Sequence, residues 1–458
     1  MRIVQAAWLV GSASILLGAV CSGQDRRSVT EPHVPEACAR VEARLETHAG
    51  GLTSEDETSL DTDRLQRALS GCAAGKAVEL TTAAGRDAFL SGPIELPPGV
   101  TLVIDRGVTL FASRDADLYA RTPGSCGVVN AAPPGCRPLI EVKDAPHAAV
   151  MGEGVIDGRG GAKLLHSGVT WWDLAEKARA GGRQQVPRLI VVTGSDDFTL
   201  YRITLKNSPN FHVTFGDGKG FTVWGVIIDT PRSARNTDGI DPGGSASDIT
   251  VTHSWISTGD DQVAIKGSGK GVDHMSVIDN HFYAGHGMSI GSETFGGVSN
   301  VLVRGLTLDG ADNGIRIKSN VHRGGLVQRI RYEDVCIRDT KVPITLDTRY
   351  DNPGPSDQMI PAFKDVVLHG VAVSGGGNIV VDGVDQSHAT HVQFDGVQLD
   401  NPASYKTFAS HAVVTYGSGV VNFRLGGDDV SAVQSKPDTT AAVTPSCTGR
   451  FVPFKKAR

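Results

Sequence analysis

Short runs in which apolar residues alternate with polar ones recur along the middle of the chain, and Gly, Asn or Asp separates each run from the next. The segment that opens at Ile249 (ITVTHSWISTGDDQVAIK) aligns without a gap with the segment that opens at Val301 (VLVRGLTLDGADNGIRIK), so that Ile265 matches Ile317. Further units, at steps of 23 to 36 residues, open near Phe198, Phe221, Met275, Ile330 and Val366. A period of two predicts strands, and repetition at this interval predicts a solenoid.

The repeat favours one solenoid architecture over another. A helical solenoid would show apolar spacings of three and four, which these units lack. Short strands at this interval predict an all-β fold, a right-handed parallel β-helix of about ten coils whose inward side chains stack into one core. Its N-terminal end must be covered, and residues 63–72 have apolar side chains at helical spacing, which predicts a short capping helix. A second short helix is predicted over residues 170–180, on a loop between coils.

The first 23 residues differ from the rest. They contain one cation, an apolar stretch and then small residues, which is typical of a secretory signal peptide cleaved after Cys21 or Gly23. A lipoprotein anchor at Cys21 is less favoured because Val20 precedes it, and a retained membrane anchor is the other alternative. The sequence therefore predicts a secreted protein without membrane association after cleavage.

Removal of the signal peptide leaves six of the seven cysteines. Exported proteins keep disulfides. Cys126 and Cys136 flank a short Pro/Gly loop that a disulfide would close, and Cys38 with Cys72 would staple the N-terminal region. Cys336 lies in an apolar run, which predicts a buried free thiol. The cysteines lack zinc-ligand spacing, and no metal or other cofactor is expected.

Composition removes other classes of function. The chain has 44 Lys+Arg and 50 Asp+Glu, a net charge of −6 that gives no reason to expect nucleic-acid binding. Hydrophobic residues make up 40% of the chain, enough for a large core, which excludes intrinsic disorder for the bulk of it. A capped solenoid has no need to associate, so a monomer is expected.

Four polar clusters interrupt the coils: NTD ending at Asp238, GDD ending at Asp261, GHG around His286, and RIK at residues 316–318. Asp260 and His286 each lie eleven residues after the opening of their unit, so both belong to the same turn of successive coils. Neighbouring coils lie about 4.8 Å apart. Asp238 is predicted to lie one coil earlier, with Ile240 matched to Ile265. Period-two alternation places the two cations of RIK outward, so one face gathers carboxylates, an imidazole and cations.

That combination of groups indicates a chemistry. Any single charged residue is as well explained by a solvated face. Together, paired carboxylates suit glycoside hydrolysis, in which one acts as general acid and another activates water. Adjacent carboxylates also raise one another's proton affinity. Arginine and lysine pair with carboxylates, so the substrate is expected to be a uronic-acid polymer attracted by a local patch, since the whole chain is net negative.

In order and spacing, the motifs NTDGID, GDDQVAIK, GHGMSIGSE and GIRIKS resemble those of the polygalacturonases of glycoside hydrolase family 28. The likeness covers roughly residues 60 to 390 and is strongest to secreted bacterial endo-polygalacturonases. It implies hydrolysis of α-1,4 bonds between galacturonate residues of pectin, with inversion and without a metal. Asp260 would be the general acid, Asp261 and Asp238 would hold the attacking water, and His286 would tune the protonation of the acid. Inversion implies that the acid and base carboxyls lie roughly 6.5 to 9.5 Å apart, and a separation near 5 Å would contradict it.

The resemblance also implies substrate-binding residues. Arg316 and Lys318 would bind the substrate carboxylate at the point of cleavage, Asn236 would contact substrate, and Tyr350 matches a tyrosine near the reducing-end subsite. Gln262 replaces the Cys or Asn of other family members, but it is expected to point into the coil and leave activity intact.

The expected organisation is a signal peptide (1–23), an N-terminal segment with the capping helix (24–75), the catalytic β-helix (76–400), and C-terminal coils with a tail (401–458). Alternatives stay open. They are an exo-polygalacturonase or rhamnogalacturonan hydrolase of the same family, a calcium-dependent pectate lyase, and a non-catalytic β-helix that binds polysaccharide. Polygalacturonate is the expected partner.

Overall fold

The computed structural model describes residues 24–130, 135–351, 354, 356, 358–435 and 446–456, and the predicted signal peptide lies outside them. Two large sheets of parallel strands wind into one right-handed β-helix. The first sheet has 22 strands: Ala37–Glu42, Ala77–Thr81, Ala88–Ser91, Thr101–Ile104, Thr109–Ala112, Ala149–Met151, Val155–Asp157, Thr199–Tyr201, Thr204–Lys206, Lys219–Trp224, Ile227–Asp229, Ser245–Thr252, Trp255–Ser257, Gly271–Ile278, His281–Phe282, Val298–Arg304, Thr307–Asp309, Leu326–Arg338, Ala362–Ser374, Thr390–Leu399, Ala412–Tyr416 and Val430–Gln434.

The second sheet has one strand per coil, eleven in all: Ile94–Glu95, Ile140–Lys143, Ile190–Thr193, Val213–Gly216, Ile240–Gly243, Val263–Ile265, Met288–Ile290, Asn313–Lys318, Val342–Asp347, Gly377–Asp382 and Tyr405–Ser410. This agrees with the prediction of about ten coils. A separate antiparallel pair joins Val128–Asn130 to Arg183–Gln185. Within the described ranges, no helix is long and apolar enough to cross a membrane.

The register of the strands confirms the sequence repeat. Met275 pairs with Ile249 on one side and with Val301 on the other. The same column continues through Ile330 to Val366. All five side chains are buried in one apolar core. The residues that open the units therefore stack directly, one coil above the next.

A recurring backbone feature explains where each unit begins. The residue directly before the opening apolar residue adopts a left-handed conformation in successive coils, with φ of 54° at Asp248, 59° at His274, 57° at Asn300, 54° at Arg329 and 51° at Asp365. Asn and Asp tolerate this region better than most residues. The polar residue before each unit is thus a conformational requirement of the coil.

The described residues also form two short α-helices. The capping helix α1 (Thr62–Ser70) confirms the prediction over residues 63–72, and it buries Leu65 and Leu69. The second helix, α2 (Trp171–Lys177), confirms the prediction over residues 170–180 and is followed by a 3₁₀ turn, Ala178–Ala180. Further 3₁₀ turns are Asp56–Thr58, Ala116–Tyr119 and Pro402–Ser404.

The disulfides confirm two predictions and correct a third. Cys38 is bonded to Cys72, and Cys126 to Cys136. The prediction of a free thiol at Cys336 was wrong, because Cys336 is bonded to Cys447. Cys336 alternates with inward neighbours and therefore faces outward, where residues 446–456, here called the C-terminal strap, cover it. Its burial comes from the strap and not from the core.

Candidate active site

The site lies on the turn between Trp255–Ser257 of the first sheet and Val263–Ile265 of the second. Gly259 starts this turn, and a Cβ there would collide with the carbonyl of Ala234. The turn presents Asp260 and Asp261 one coil below His286, as predicted. On the other side, the backbone N–H of Gly239 donates to the carbonyl of Asp261 over 2.9 Å, which places Asp238 in the neighbouring coil.

One detail of the predicted register was wrong. Ile240 pairs with Val263 and not with Ile265. Both partners point into the core, so the prediction erred by one inward position. Ten residues separate the strands Ile227–Asp229 and Ile240–Gly243, whereas five separate Trp255–Ser257 from Val263–Ile265. Because the two turns differ in length, counting residues along the sequence does not give the correct pairing.

Asp260 exchanges hydrogen bonds with its own turn and with the next coil. Its Oδ1 accepts the backbone N–H of Asp261 over 3.0 Å. The same oxygen lies 2.9 Å from His286 Nδ1, in a hydrogen bond whose donor depends on which group carries the proton. The other ring nitrogen of His286 lies 3.9 Å from Asp312 Oδ2. Asp312 in turn is paired with Lys341 over 2.6 Å. A proton on Asp260 therefore has a direct path to an imidazole.

Asp261 is buried and held by three donors. Its Oδ1 accepts Ser289 Oγ over 2.6 Å and Arg316 Nη1 over 3.2 Å, and its Oδ2 accepts Lys318 Nζ over 2.7 Å. Burial acts to raise the pKa of Asp261, but the positive charges of Lys318, Arg316 and Lys266 outweigh it and hold the pKa well below its usual range. Asp261 is therefore ionised throughout the working range of the site.

Asp238 has the opposite electrostatics. Burial, followed by repulsion from Asp241 and Asp260, raises its pKa well above the usual range, and Lys266 only partly offsets this. Lys266 Nζ lies 3.7 Å from Asp238 Oδ2, whereas Asp238 Oδ1 finds no hydrogen-bond partner among the described residues. Burial likewise raises the pKa of Asp241 to about 7. Two carboxyls of high proton affinity thus lie beside one of low proton affinity.

Six of the eight predicted site residues line one cleft of about 490 Å³: Asn236, Asp238, Asp260, Asp261, Lys318 and Tyr350. His286 does not line it and contacts Asp260 from the next coil. Five cationic and five carboxylate side chains line it: Arg188, Arg235, Lys266, Lys318 and Arg323, with Asp238, Asp260, Asp261, Glu293 and Asp351. The formal charges balance, and the raised pKa of Asp238 shifts that balance toward positive charge. This is the local patch that a polyanionic substrate requires.

Asn236 and Tyr350 also line the cleft. The ring of Tyr350 lies 5.4 Å from the Arg316 guanidinium and 5.3 Å from the Lys318 ammonium. Arg316 does not line the cleft itself and contacts it through Asp261. In this structure Arg316 and Lys318 are therefore partners of Asp261, and their contact with a substrate carboxylate stays a prediction.

Three groups of the site bring their nearest atoms close together. One oxygen of Asp260, one oxygen of Asp261 and one ring nitrogen of His286 lie within 4.8 Å of one another. This figure joins single atoms, so the predicted separation of roughly 6.5 to 9.5 Å between the acid and base carboxyl groups stays a prediction. Two carboxylates and an imidazole are groups that can bind a cation. Both oxygens of Asp261, however, already accept hydrogen bonds from Ser289, Arg316 and Lys318. The Lys318 ammonium therefore occupies the place that a metal would take.

Among the residues that were not predicted from sequence, three act directly on Asp238 or Asp261. Asp241 follows inward Ile240, so alternation alone places it outward. Lys266 is the repeat equivalent of Lys318, two coils earlier. Ser289 pairs with Arg316 in the outward column of the second sheet. Each could have been found by extending the alternation rule to every coil. Gln262, as predicted, points inward, and its amide donates to the carbonyls at positions 283 and 284.

Comparison with known proteins adds the family. Residues 72–417 match Glycosyl hydrolases family 28. An endo-polygalacturonase of Pectobacterium carotovorum subsp. carotovorum is 41% identical over 394 residues, covering 85% of this chain and 94% of that protein. A polygalacturonase of Ralstonia nicotianae is 36% identical, covering 93% of this chain and 92% of its own length. The solved structure of a polygalacturonase from Erwinia carotovora ssp. carotovora matches with a TM-score of 0.77 and 41% identity, over 84% of this chain and 98% of that chain. The chain therefore belongs to glycoside hydrolase family 28.

Proposed function

We propose that the protein is a secreted, monomeric endo-polygalacturonase that hydrolyses α-1,4 bonds between galacturonate residues of de-esterified pectin. The observation that carries the proposal is the contrast between two adjacent carboxyls. Asp260 shares a hydrogen bond with an imidazole, whereas Asp261 is held ionised by two cations. Two neighbouring carboxyls in such different surroundings can take different roles in one reaction. The names of the two bacterial relatives support polygalacturonate as substrate, and that of the first supports endo attack.

The proposed reaction uses the two carboxyls in concert. Asp260 donates its proton to the glycosidic oxygen as the bond from that oxygen to the anomeric carbon breaks. Water held by Asp261 and Asp238 attacks the same carbon and gives up its proton to this pair of carboxylates. His286 then lies within hydrogen-bonding distance to return a proton to Asp260. The reaction needs no metal, because the cations around Asp261 supply the positive charge.

Inversion is part of the proposal. In a retaining enzyme the second carboxylate bonds to the anomeric carbon. Asp261 is 1% exposed, and its oxygens accept three hydrogen bonds, so covalent attack would require both cations to lose their partner. Holding a water molecule requires no such loss. NMR of the first product formed gives the anomer directly, and the α-anomer, identical to the substrate linkage, would exclude inversion.

Secretion is supported by the chemistry of the cysteines. All six cysteines in the described part of the chain form disulfides, as expected in an oxidising compartment. Expression of the full chain and N-terminal sequencing of the protein recovered from the medium would test export and locate the cleavage. A cell-retained protein beginning at Met1 would contradict it.

The central test is digestion of polygalacturonic acid in EDTA, following reducing ends and the absorbance of unsaturated uronates together. We expect reducing ends to rise without that absorbance, and viscosity to fall early, as endo attack requires. Asp260→Asn should abolish the signal. The matched control is Asp428→Asn, the same change in the exposed Asp-Asp pair at 428–429, which should retain full activity. Unsaturated products, or an active Asp260→Asn variant, would refute the proposal.

A further inference from the structure

A second cleft lies on the outer face of the first sheet. Its volume is about 570 Å³, against about 490 Å³ for the catalytic cleft, and the two share no lining residue. One wall comes from Glu31 in the N-terminal segment, and another from Lys455 and Lys456 in the C-terminal strap. The strap is fixed by the disulfide of Cys447 and by Arg450, which pairs with an aspartate of the β-helix over 2.6 Å. The cleft is therefore built by ordered parts of the chain.

The floor of this cleft is aromatic and stepped. Thr204, Ile227 and Trp255 follow one another in register on three successive coils, so the size of the side chain increases from one coil to the next. Beside them, the ring of Trp224 stacks on His253 with centroids 4.9 Å apart. Thr204 and Ile227 thus form a ledge beside two indole rings. Such a ledge suits the flat face of a sugar ring, which carries C–H groups.

Around the ledge, positively charged side chains outnumber negatively charged ones. Arg202 pairs with Glu31 and Glu153 over 3.1 Å, and Arg106 also pairs with Glu153. These four charges cancel. Lys455 and Lys456 add two positive charges, and within the described residues neither forms an ion pair with a carboxylate. The Lys455 ammonium lies 4.4 Å from the centroid of the Trp255 ring. An indole and an ammonium are thus presented together.

We propose that this cleft is a second, non-catalytic binding site for the anionic sugar chain. The indoles stack on sugar rings, while the two lysines pair with ring carboxylates. The proposal rests on the proposed function, because the polymer that the catalytic cleft cleaves is the uronate chain whose chemistry fits this ledge. A polymer held here raises the local concentration of cleavable bonds at the catalytic cleft. Short oligomers, which cannot reach both clefts, gain nothing.

Binding is tested with the inactive Asp260→Asn protein titrated calorimetrically with an oligogalacturonate. We expect two sites per chain. In the same background, Lys455→Glu and Trp255→Ala should each weaken one site by about tenfold, and Trp255→Phe should restore it. Lys364→Glu is the matched control, since it makes the same charge change at an exposed position of the first sheet outside the cleft. A single site in Asp260→Asn, or two sites that Lys455→Glu and Trp255→Ala leave unaltered, would overturn the proposal.

Kinetics of the active enzyme supply the second readout. Lys455→Glu should raise KM for the polymer several-fold while kcat, and both constants for a short oligomer, stay as in the wild type. A loss of kcat on short oligomers would indicate a folding defect and overturn the assignment. Because the titration counts sites without turnover, it stands even if the hydrolysis experiment fails. Tighter binding of a nucleoside phosphate than of the oligogalacturonate would also overturn the proposed ligand.

Discussion

The buried carboxyl of Asp241 offers a quantitative test of the electrostatics of the catalytic cleft. Asp241 is 4% exposed, and neither of its oxygens has a hydrogen-bond partner among the described residues. Burial raises its pKa from 3.8 to about 7, against the opposing effect of Lys266. Replacing Asp241 by Asn keeps the shape and removes the titration. The variant should therefore differ from the wild type in how stability depends on pH.

The sign and size of this difference follow from the linkage between proton binding and folding. A carboxyl whose pKa is raised on folding binds its proton more tightly in the folded state, so its contribution to stability is fully present below the unfolded pKa of 3.8 and is lost as pH rises to about 7. About 3 pKa units correspond to at most about 4 kcal/mol. The Asp241→Asn variant does not lose this contribution to stability as pH rises. Relative to the wild type, its free energy of unfolding should rise between about pH 4 and about pH 7 by up to that amount, then stay level.

Urea unfolding followed by tryptophan fluorescence, at intervals from about pH 4 to about pH 8, measures the difference. Asp428→Asn is the control, because the same change at an exposed position should give a difference that does not vary with pH. A flat difference for Asp241→Asn would refute the reasoning. Repulsion from Asp241 is also one cause of the raised pKa of Asp238. The acid limb of the kcat/KM profile should therefore move to lower pH in Asp241→Asn, if ionised Asp238 assists the attack of water.

Four further outcomes are expected. His286→Ala should lower kcat/KM by about a hundredfold or more and change the shape of its pH profile, whereas a uniform small loss would indicate a structural role only. Lys318→Met leaves Asp261 buried with one cation fewer. The variant should therefore have a free energy of unfolding lower by about 3 kcal/mol and a higher KM. An unaltered urea midpoint would contradict the ion pair. Joint replacement of Cys336 and Cys447 by Ser should cost about 2 to 4 kcal/mol in urea while kcat on short oligomers stays constant, and a lost kcat would show that the strap supports the catalytic cleft. EDTA should leave the initial rate of hydrolysis unchanged, and inhibition reversed by calcium would favour lyase chemistry.

The sequence predicted the fold because each coil repeats both its inward apolar residue and its preceding left-handed residue. The column from Ile249 through Met275 to Val301 was visible as an alignment and appears in the structure as direct pairing. The contact between Asp260 and His286 followed from the same counting. Counting failed at Ile240, where a longer turn precedes the strand. The repeat thus specifies positions only where turns of equal length join the strands.

Other features have no periodic signal. The bond from Cys336 to Cys447 spans 111 residues and depends on a strap that belongs to no coil. The second cleft depends on the same strap. In the catalytic cleft, the sequence indicated which charged groups gather but not which of them pair. The geometry assigns Arg316 and Lys318 to Asp261, and this pairing determines which carboxyl stays ionised.

The residues that influence Asp260 and Asp238 in the proposed reaction lie on opposite sides of one turn. Asp260 and Asp261 share one turn, which lies between the coil of His286 and the coil of Asp238. His286, one coil toward the C-terminus, contacts Asp260, whereas Asp238 and its neighbour Asp241 lie one coil toward the N-terminus. In the proposed reaction His286 acts on proton donation through Asp260, whereas Asp241 acts on the attack of water through Asp238, so His286→Ala and Asp241→Asn should alter different limbs of the kcat/KM profile. If His286→Ala and Asp241→Asn affected the same limb of the kcat/KM profile, proton donation and the attack of water would not be separable in this way.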